Sequence, residues 1–231
     1  MRRLAAIQPS FLPWRGYFDI IHKVDVMVFY DDAQYDRRSW RNRNRIKTHS
    51  GSQWLTVPVC TKGNYTQPIN AILIDNTSRW REKHLRAIHH NYRRATYFKT
   101  YFSLLEHAYE DAWSAISNLD IHLTKLIAQE LNIEAEWVLA SELTLQSRRT
   151  DRLVQFCEVL QADHYLSGPT ARSYIEPEKF ARAGITLEYQ VYDYPPYKQL
   201  HGAFDPHVSA IDLLFNCGPD SSWYIWGWRD G

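Results

Sequence analysis

Two polar segments near the N-terminus carry the residue types best suited to chemistry. The first is Gln8-Pro9-Ser10-Phe11-Leu12-Pro13-Trp14-Arg15-Gly16-Tyr17. Two prolines stiffen it, Gly16 permits close backbone approach, and Gln8, Ser10, Arg15 and Tyr17 bring hydrogen-bonding groups. The second runs from Asp31-Asp32 through Trp40-Arg41-Asn42-Arg43-Asn44-Arg45 to Lys47. Adjacent carboxylates bind an amine or a metal, or share acid–base duty when proximity drives their pKa values apart. Arg41, Arg43 and Arg45 alternate, so an extended backbone sends all three to one face and Asn42 and Asn44 to the other. A guanidinium row suits bidentate grip on phosphates or carboxylates. Charge alone favours a solvated basic loop. Position at the end of a strand, argued below, favours a site.

Other segments are weaker. His84, His89 and His90 invite a metal reading, but His84 and His89 lie five apart, off the spacing that puts two ligands on one helix face. They read as exposed helix histidines, with no metal expected, while Lys83 and Tyr92 stay as ligand contacts. Ser209 and Asp212 read as a helix cap and its acid partner. Of three cysteines, Cys157 and Cys217 sit in apolar helical patterns as inert thiols, and Cys60 is freer but has no base beside it. No GxGxxG or P-loop pattern appears.

The elements that position these groups are legible from periodicity. Residues 3–7 and 26–30 are apolar, β-rich runs, and residues 14–23 between them have near-helical spacing. A strand, helix and strand make a parallel βαβ unit, with Gln8 and Asp31-Asp32 at the C-terminal strand ends where open α/β sheets bind ligands. Residues 54–59 and 69–74 read as strands joined through residues 61–65. Helices are expected over residues 77–92, capped by Thr77-Ser78, and over 103–115 and 119–131. Strands at 136–140, 164–168 and 185–192 then alternate with helices at 151–161, 176–183 and 209–215. The expected fold is a single α/β domain over residues 1–231: a doubly wound, mostly parallel, Rossmann-like sheet with a helical insertion at about 77–131.

Composition bounds the function. The 231 residues carry 45% hydrophobic and 23% charged side chains, ordinary for a globular chain, and a net charge of +1. That balance argues against a protein coating nucleic acid or acidic membrane, and no stable nucleic-acid complex is expected even though Trp40 permits base stacking. The 15 Tyr, 9 Trp and 9 Phe supply rings for clefts that take an apolar body with a polar tip. The apolar start stops at Gln8-Pro9, no run reaches bilayer length, and three scattered cysteines make no disulfide framework. A cytoplasmic protein without a membrane span is expected.

Taken together, Ile7 to Trp14, Gly16-Tyr17-Phe18, Asp25-Val26 through Asp31-Asp32, Trp40 to Asn44 and Trp54-Leu55-Thr56-Val57-Pro58-Val59 resemble the WbqC-like protein family. The likeness continues through Lys83-His84, Tyr165-Leu166-Ser167-Gly168, Tyr197, Gln199 and Ser209 to Gly218, covering nearly the whole chain. It departs at Arg15, where an apolar residue is common, and at Cys60, where a polar one is. The resemblance implies a setting in O-antigen (lipopolysaccharide) biosynthesis and an aminoacyl, glycyl-type transfer to amino sugars; it carries over no catalytic residues.

The leading expectation is an acyltransferase forming an amide on an amine of a small phosphate-bearing substrate, such as a nucleotide-linked amino sugar. Asp31 or Asp32 orients or deprotonates the amine, Gln8 and Tyr17 supply hydrogen bonds, and Arg41 and Arg43, with Asn42 and Lys83 nearby, hold the phosphate. The acyl donor is open among a carrier-protein thioester, an aminoacyl-tRNA and an adenylate; no cofactor is named. Two alternatives stand. A nucleotidyl-transfer or amino-acid-activating enzyme is similar in layout, though it lacks the paired histidines of an HxGH-type motif. A non-catalytic nucleotide-sugar binder fits the aromatic richness.

Overall fold

The apolar runs near the N-terminus and the alternating pattern of the last third form one sheet, and the polar middle of the chain supplies a hairpin and helices. The computed structural model describes residues 1–61 and 66–229. In chain order the elements are β1 (Arg3–Ile7), α1 (Arg15–His22), β2 (Val26–Phe29), β3 (Arg43–Thr48), β4 (Gly51–Thr56), α2 (Trp80–Tyr92), α3 (Phe98–Glu110), α4 (Ile116–Glu130), β5 (Glu136–Leu139), α5 (Arg149–Val159), β6 (His164–Ser167), α6 (Pro177–Arg182), β7 (Thr186–Tyr189) and α7 (Ala210–Cys217). They fall into two compact units: Met1–Gln8, Gly16–Asp31 and Ile133–Asp193 make the first, and Pro9–Arg15, Asp32–Asn132 and Tyr194–Gly231 the second.

The first unit holds a five-stranded sheet in the order β5-β2-β1-β6-β7, with every pairing parallel. Counted among the sheet's own strands this is 3-2-1-4-5, the doubly wound Rossmann order, whose direction reverses between β1 and β6. The expected α/β class is what forms. Strand alternation sends Leu4, Val26 and Val28 to a core shared with Leu153, Phe156 and Cys157 of α5 and Phe180 of α6. Ala5, Met27 and Phe29, equally buried, point to the other face. Right-handed crossovers place α1 there.

In the second unit β3 and β4 form an antiparallel hairpin, with Asn44 opposite Leu55 and Arg45 opposite Trp54. This corrects one expectation in part: residues 51–56 form their ladder with the arginine-bearing segment before them, and contact with residues 69–74 is confined to the end of the segment, where Cys60 N donates to Leu73 O and Asp75 N to Pro58 O. Residues 69–74 contain a short 3-10 helix, Ile69–Ala71, and single bridges from Leu73 to Ala115 and from Val59 to Ile74. The connecting loop expected at residues 61–65 lies largely outside the described residues. A second correction concerns the start of α2. Thr77 does not cap it; its amide and hydroxyl both donate to Asp75 Oδ1, and Arg79 occupies the cap position without a side-chain bond. The third helix expectation shifts by five residues, because α3 begins at Phe98 and ends at Glu110.

Candidate functional site

At the C-terminal edge of β1, Tyr17 is buried and its hydroxyl donates to the Gln8 carbonyl at 3.3 Å. The fold therefore brings these two residues together beside the β1–β6 reversal, the position at which open sheets bind ligands. Asp31 follows β2 and is also buried. Its Oδ1 accepts the Ser141 amide at 2.9 Å and its Oδ2 the Ser141 hydroxyl at 2.6 Å, fastening the turn after β5. Asp32, the next residue, belongs to the second unit.

Within the second unit, Pro9–Arg15 of the first polar segment is stitched to the part of the second that follows Asp31. Phe11 N donates to Trp40 O at 2.9 Å, and the Arg41 guanidinium donates to Pro9 O at 3.2 Å and, at short range, to Ser10 Oγ. Alternation along residues 41–46 is as the sequence demands: Asn42 and Asn44 are buried, while Arg41, Arg43 and Arg45 are half-buried. The asparagines are structural. Asn42 Nδ2 donates to Val57 O at 2.8 Å, and Asn44 Nδ2 donates to Leu12 O at 2.7 Å and Phe11 O at 3.2 Å, pinning the first loop to the hairpin.

The arginine face is not uniform. Arg41 is occupied by the loop; Arg43 donates at short range through Nη2 to Arg38 O and lies 4.4 Å over the Trp54 ring, and Arg45 lies 5.5 Å from Trp54 and 5.8 Å from Trp40. The two indoles are 5.3 Å apart and remain 46% and 42% exposed, so rings that ordinarily seek burial stand in solvent between guanidiniums. Lys83 is exposed on α2.

Two buried polar centres in the second unit were not foreseen. Asp212 is no capping acid: it is fully buried on α7 and accepts from the Tyr92 and Tyr197 hydroxyls at 2.6 and 2.8 Å and from Gln199 Nε2 at 2.9 Å. Lys47 Nζ reaches Gln199 Oε1 at 2.8 Å. Burial raises the Asp212 carboxyl above its usual range despite the bonds from Tyr92, Tyr197 and Gln199. Arg15, buried beside this hub, lies 4.8 Å from the Tyr194 ring, 5.6 Å from Tyr197 and 5.4 Å from Phe204. It therefore braces the aromatic wall.

The other centre is on α4. Asp120 is fully buried and neither of its oxygens has a hydrogen-bond partner among the described residues, nor do the buried hydroxyls of Ser117 and Thr124. Burial holds the Asp120 carboxyl well above the usual carboxylate range, with the Arg41 charge opposing. His84 is also buried, a correction to its expected exposure, while His89 and His90 are exposed. Its Nε2 meets Thr56 O at 3.1 Å and its Nδ1 the Tyr109 hydroxyl at 3.4 Å, and burial pushes it down to about 4.

The sequence signal for Asp120 is its place in the apolar stripe of α4, among the buried Ile116, Leu119, Leu123 and Ile127. For Asp212 it was likewise an acid inside an apolar helix. Cys157 is buried and its thiol is pushed up to about 12, as is Cys217; Cys60 is exposed. Among the described residues no cluster of three or more His, Cys, Asp or Glu is placed to hold a metal ion. No helix of the described residues is long and apolar enough to cross a membrane.

Comparison with known proteins covers almost the entire chain. The model of the WbqC-like protein family matches residues 8–224, which include the first loop, the hairpin, α4 and the Asp212 hub. A protein of Mycobacterium tuberculosis (strain ATCC 25618 / H37Rv), described as "Uncharacterized protein Rv1507c", is 42% identical over 227 residues, covering 97% of this chain and 98% of its own length. No solved structure matches significantly. The chain belongs to the WbqC-like protein family.

Proposed function

We propose that this protein is a transferase that forms an amide on an amine of a small phosphate-bearing substrate, such as a nucleotide-linked amino sugar. The observation that carries the reading is the exposed guanidinium–indole face of the β3–β4 hairpin. Arg43 and Arg45 are stacked on Trp54 and Trp40, which holds their forks in fixed orientation at little entropic cost. Paired guanidiniums suit phosphate oxygens, and half-exposed indoles suit the flat face of a base or sugar. The sequence reading gave phosphate binding to Arg41 and Arg43. The geometry supports Arg43 and Arg45 instead: Arg41 is committed to Pro9 and Ser10, while Arg43 gives one nitrogen to Arg38 O and lies with Arg45 over the half-exposed indoles. For the sheet edge, the Rossmann strand order supports ligand contacts near Gln8 and Tyr17. Asp31 serves there as an acceptor for Ser141.

The test is product analysis. The purified chain is incubated with nucleotide-linked amino sugars and, in separate arms, a carrier-protein thioester, an aminoacyl-tRNA, and an amino acid with ATP. A sugar product heavier by one acyl group, lost in an Arg43→Gln, Arg45→Gln double variant, is the expected result. Calorimetric binding of the sugar nucleotide with no product in any arm sinks the transferase reading and leaves a binding protein. Pyrophosphate–ATP exchange in the third arm assigns the chain to amino-acid activation instead.

A further inference from the structure

We propose that the polar stripe Ser117, Asp120 and Thr124 of α4 is a binding site for the primary ammonium group of a small ligand. The three side chains are 1%, 0% and 0% exposed, and four of their oxygen atoms lack any hydrogen-bond partner among the described residues. Buried polar groups in folded proteins are nearly always paired, so a carboxyl and two hydroxyls left unpaired on one helix mark a place prepared for something else. Helical spacing of three and four residues puts them in one row.

The chemistry of the row selects the ligand. Burial alone opposes ionisation of the Asp120 carboxyl, and a cation bound beside it favours the carboxylate whereas an anion opposes it further, so the ligand is a cation and not phosphate. Calcium takes six to eight oxygens and magnesium a full octahedron, more than one carboxylate and two hydroxyls supply. A primary ammonium has three N–H donors on a compact centre, matching the two Asp120 oxygens and one hydroxyl a turn away, Ser117 on one side or Thr124 on the other, since those two lie about 10.5 Å apart along the helix. The surroundings suit a cation as well. The buried rings of Tyr35 and Tyr109 lie within electrostatic reach of the Asp120 carboxyl, and Tyr109 packs edge-on to Trp80 at 5.3 Å. Arg41 is the charged group within reach of Asp120, and its guanidinium is anchored on Pro9 O and Ser10 Oγ. Tyr35 is followed directly by the exposed residues 36–38. In the proposed transferase this ligand is the acceptor amine. That identification rests on the transferase reading, whereas ammonium binding does not.

The experiment compares glucosamine with N-acetylglucosamine at equal ionic strength, by calorimetry and thermal melting of the full chain. The wild type is expected to bind glucosamine and be stabilised by it, with N-acetylglucosamine inert, since a ligand of the native state alone raises the melting temperature by mass action. Asp120→Asn keeps the side-chain shape and weakens glucosamine binding about 10- to 100-fold, as loss of a charge-assisted bond does, while leaving stabilisation by inorganic phosphate intact. The Ser117→Ala, Thr124→Val variant provides a second test that keeps the acid, and it weakens glucosamine by a smaller factor. Equal responses to the two sugars, or a glucosamine response that survives in Asp120→Asn, overturn the proposal. So does the absence of any glucosamine response in the wild type. Amine binding without product formation removes the transferase reading alone. Product formation at wild-type rate in Asp120→Asn removes the acceptor assignment alone.

Discussion

Tyr92 and Asp212 lie 120 residues apart in the chain and share a 2.6 Å hydrogen bond with both side chains fully buried. The same hydroxyl accepts the Lys47 amide at 2.8 Å, so one oxygen joins α2, α7 and the β3 strand. Tyr92→Phe leaves the Lys47 N–H and one Asp212 oxygen without that partner while conserving the ring. Unfolding in urea should show a loss of about 1–3 kcal/mol, the penalty for orphaned buried polar groups. A loss below the error of the measurement would show that the hub tolerates the gap and is not what fastens the three elements.

The arginine row divides into an anchor and a face, and anion binding separates them. Phosphate should raise the melting temperature of the wild type, and added salt should reduce the effect because the face is partly exposed to screening. The Arg43→Gln, Arg45→Gln double variant abolishes that response and costs the empty protein about 1 kcal/mol through the lost Arg43 bond to Arg38 O. Arg41→Gln keeps the phosphate response and lowers stability by about 1–3 kcal/mol through the lost contacts at Pro9 and Ser10. If phosphate stabilises all three proteins equally, the anion site lies away from this hairpin.

How much of this was readable beforehand depends on what each residue advertises. The sheet was legible because buried parallel strands such as Val26–Phe29 are short apolar runs flanked by breaks. The two faces of residues 41–45 followed from alternation alone, and burial of Asn42 and Asn44 agrees. The partner of β3 was hidden because β4 begins Gly-Ser-Gln, polar and exposed, whereas residues 69–74 offered a more apolar decoy. Its pairing is set locally by the reversal between Thr48 and Gly51, where Thr48 Oγ1 donates to Gly51 O at 2.7 Å. Asp120 was passed over, and Asp212 read as a capping acid, for a different reason. Acids on helices are ordinarily caps or solvent-facing groups, and only their coincidence with an apolar stripe distinguishes these two.

Gly218 ends α7 with φ +56° and ψ −127°, a conformation side chains rarely adopt. A Cβ there would sit 2.5 Å from carbons of the Tyr97 ring. Gly218→Ala therefore combines backbone strain with a clash against a ring, and about 2–5 kcal/mol of destabilisation is expected. Gly202 supplies the control, since its φ is +72° but nothing lies within 4 Å of an added Cβ. Gly202→Ala should cost only about 1 kcal/mol, the backbone part alone. Equal losses in the two variants, read by denaturant midpoint, would mean that the Tyr97 ring moves aside freely.

Acid sensitivity should trace to His84. Its neutral form suits its surroundings, with Nε2–H donating to Thr56 O and Nδ1 accepting from the Tyr109 hydroxyl. Burial pushes it down to about 4, whereas an unfolded histidine titrates near roughly 6.5. Above the unfolded value neither state holds the extra proton, and the contribution to stability is complete. As pH falls below it, the unfolded chain takes up a proton that the native protein refuses, so stability declines by up to about 1.4 kcal/mol per pH unit. By the folded value the loss reaches about 3 kcal/mol, after which both states are protonated. Asp120 and Asp212, whose carboxyls burial raises, act with the opposite sign: the native state keeps their protons and gains stability as pH falls toward the ordinary carboxylate range. The His84 contribution is therefore isolated by difference. In His84→Gln, which replaces one donor and one acceptor without a titrating group, the stability advantage of the wild type should shrink steadily between about pH 6.5 and 4. A difference that stays constant across that window would mean that His84 holds its proton as readily in the native protein as in the unfolded chain.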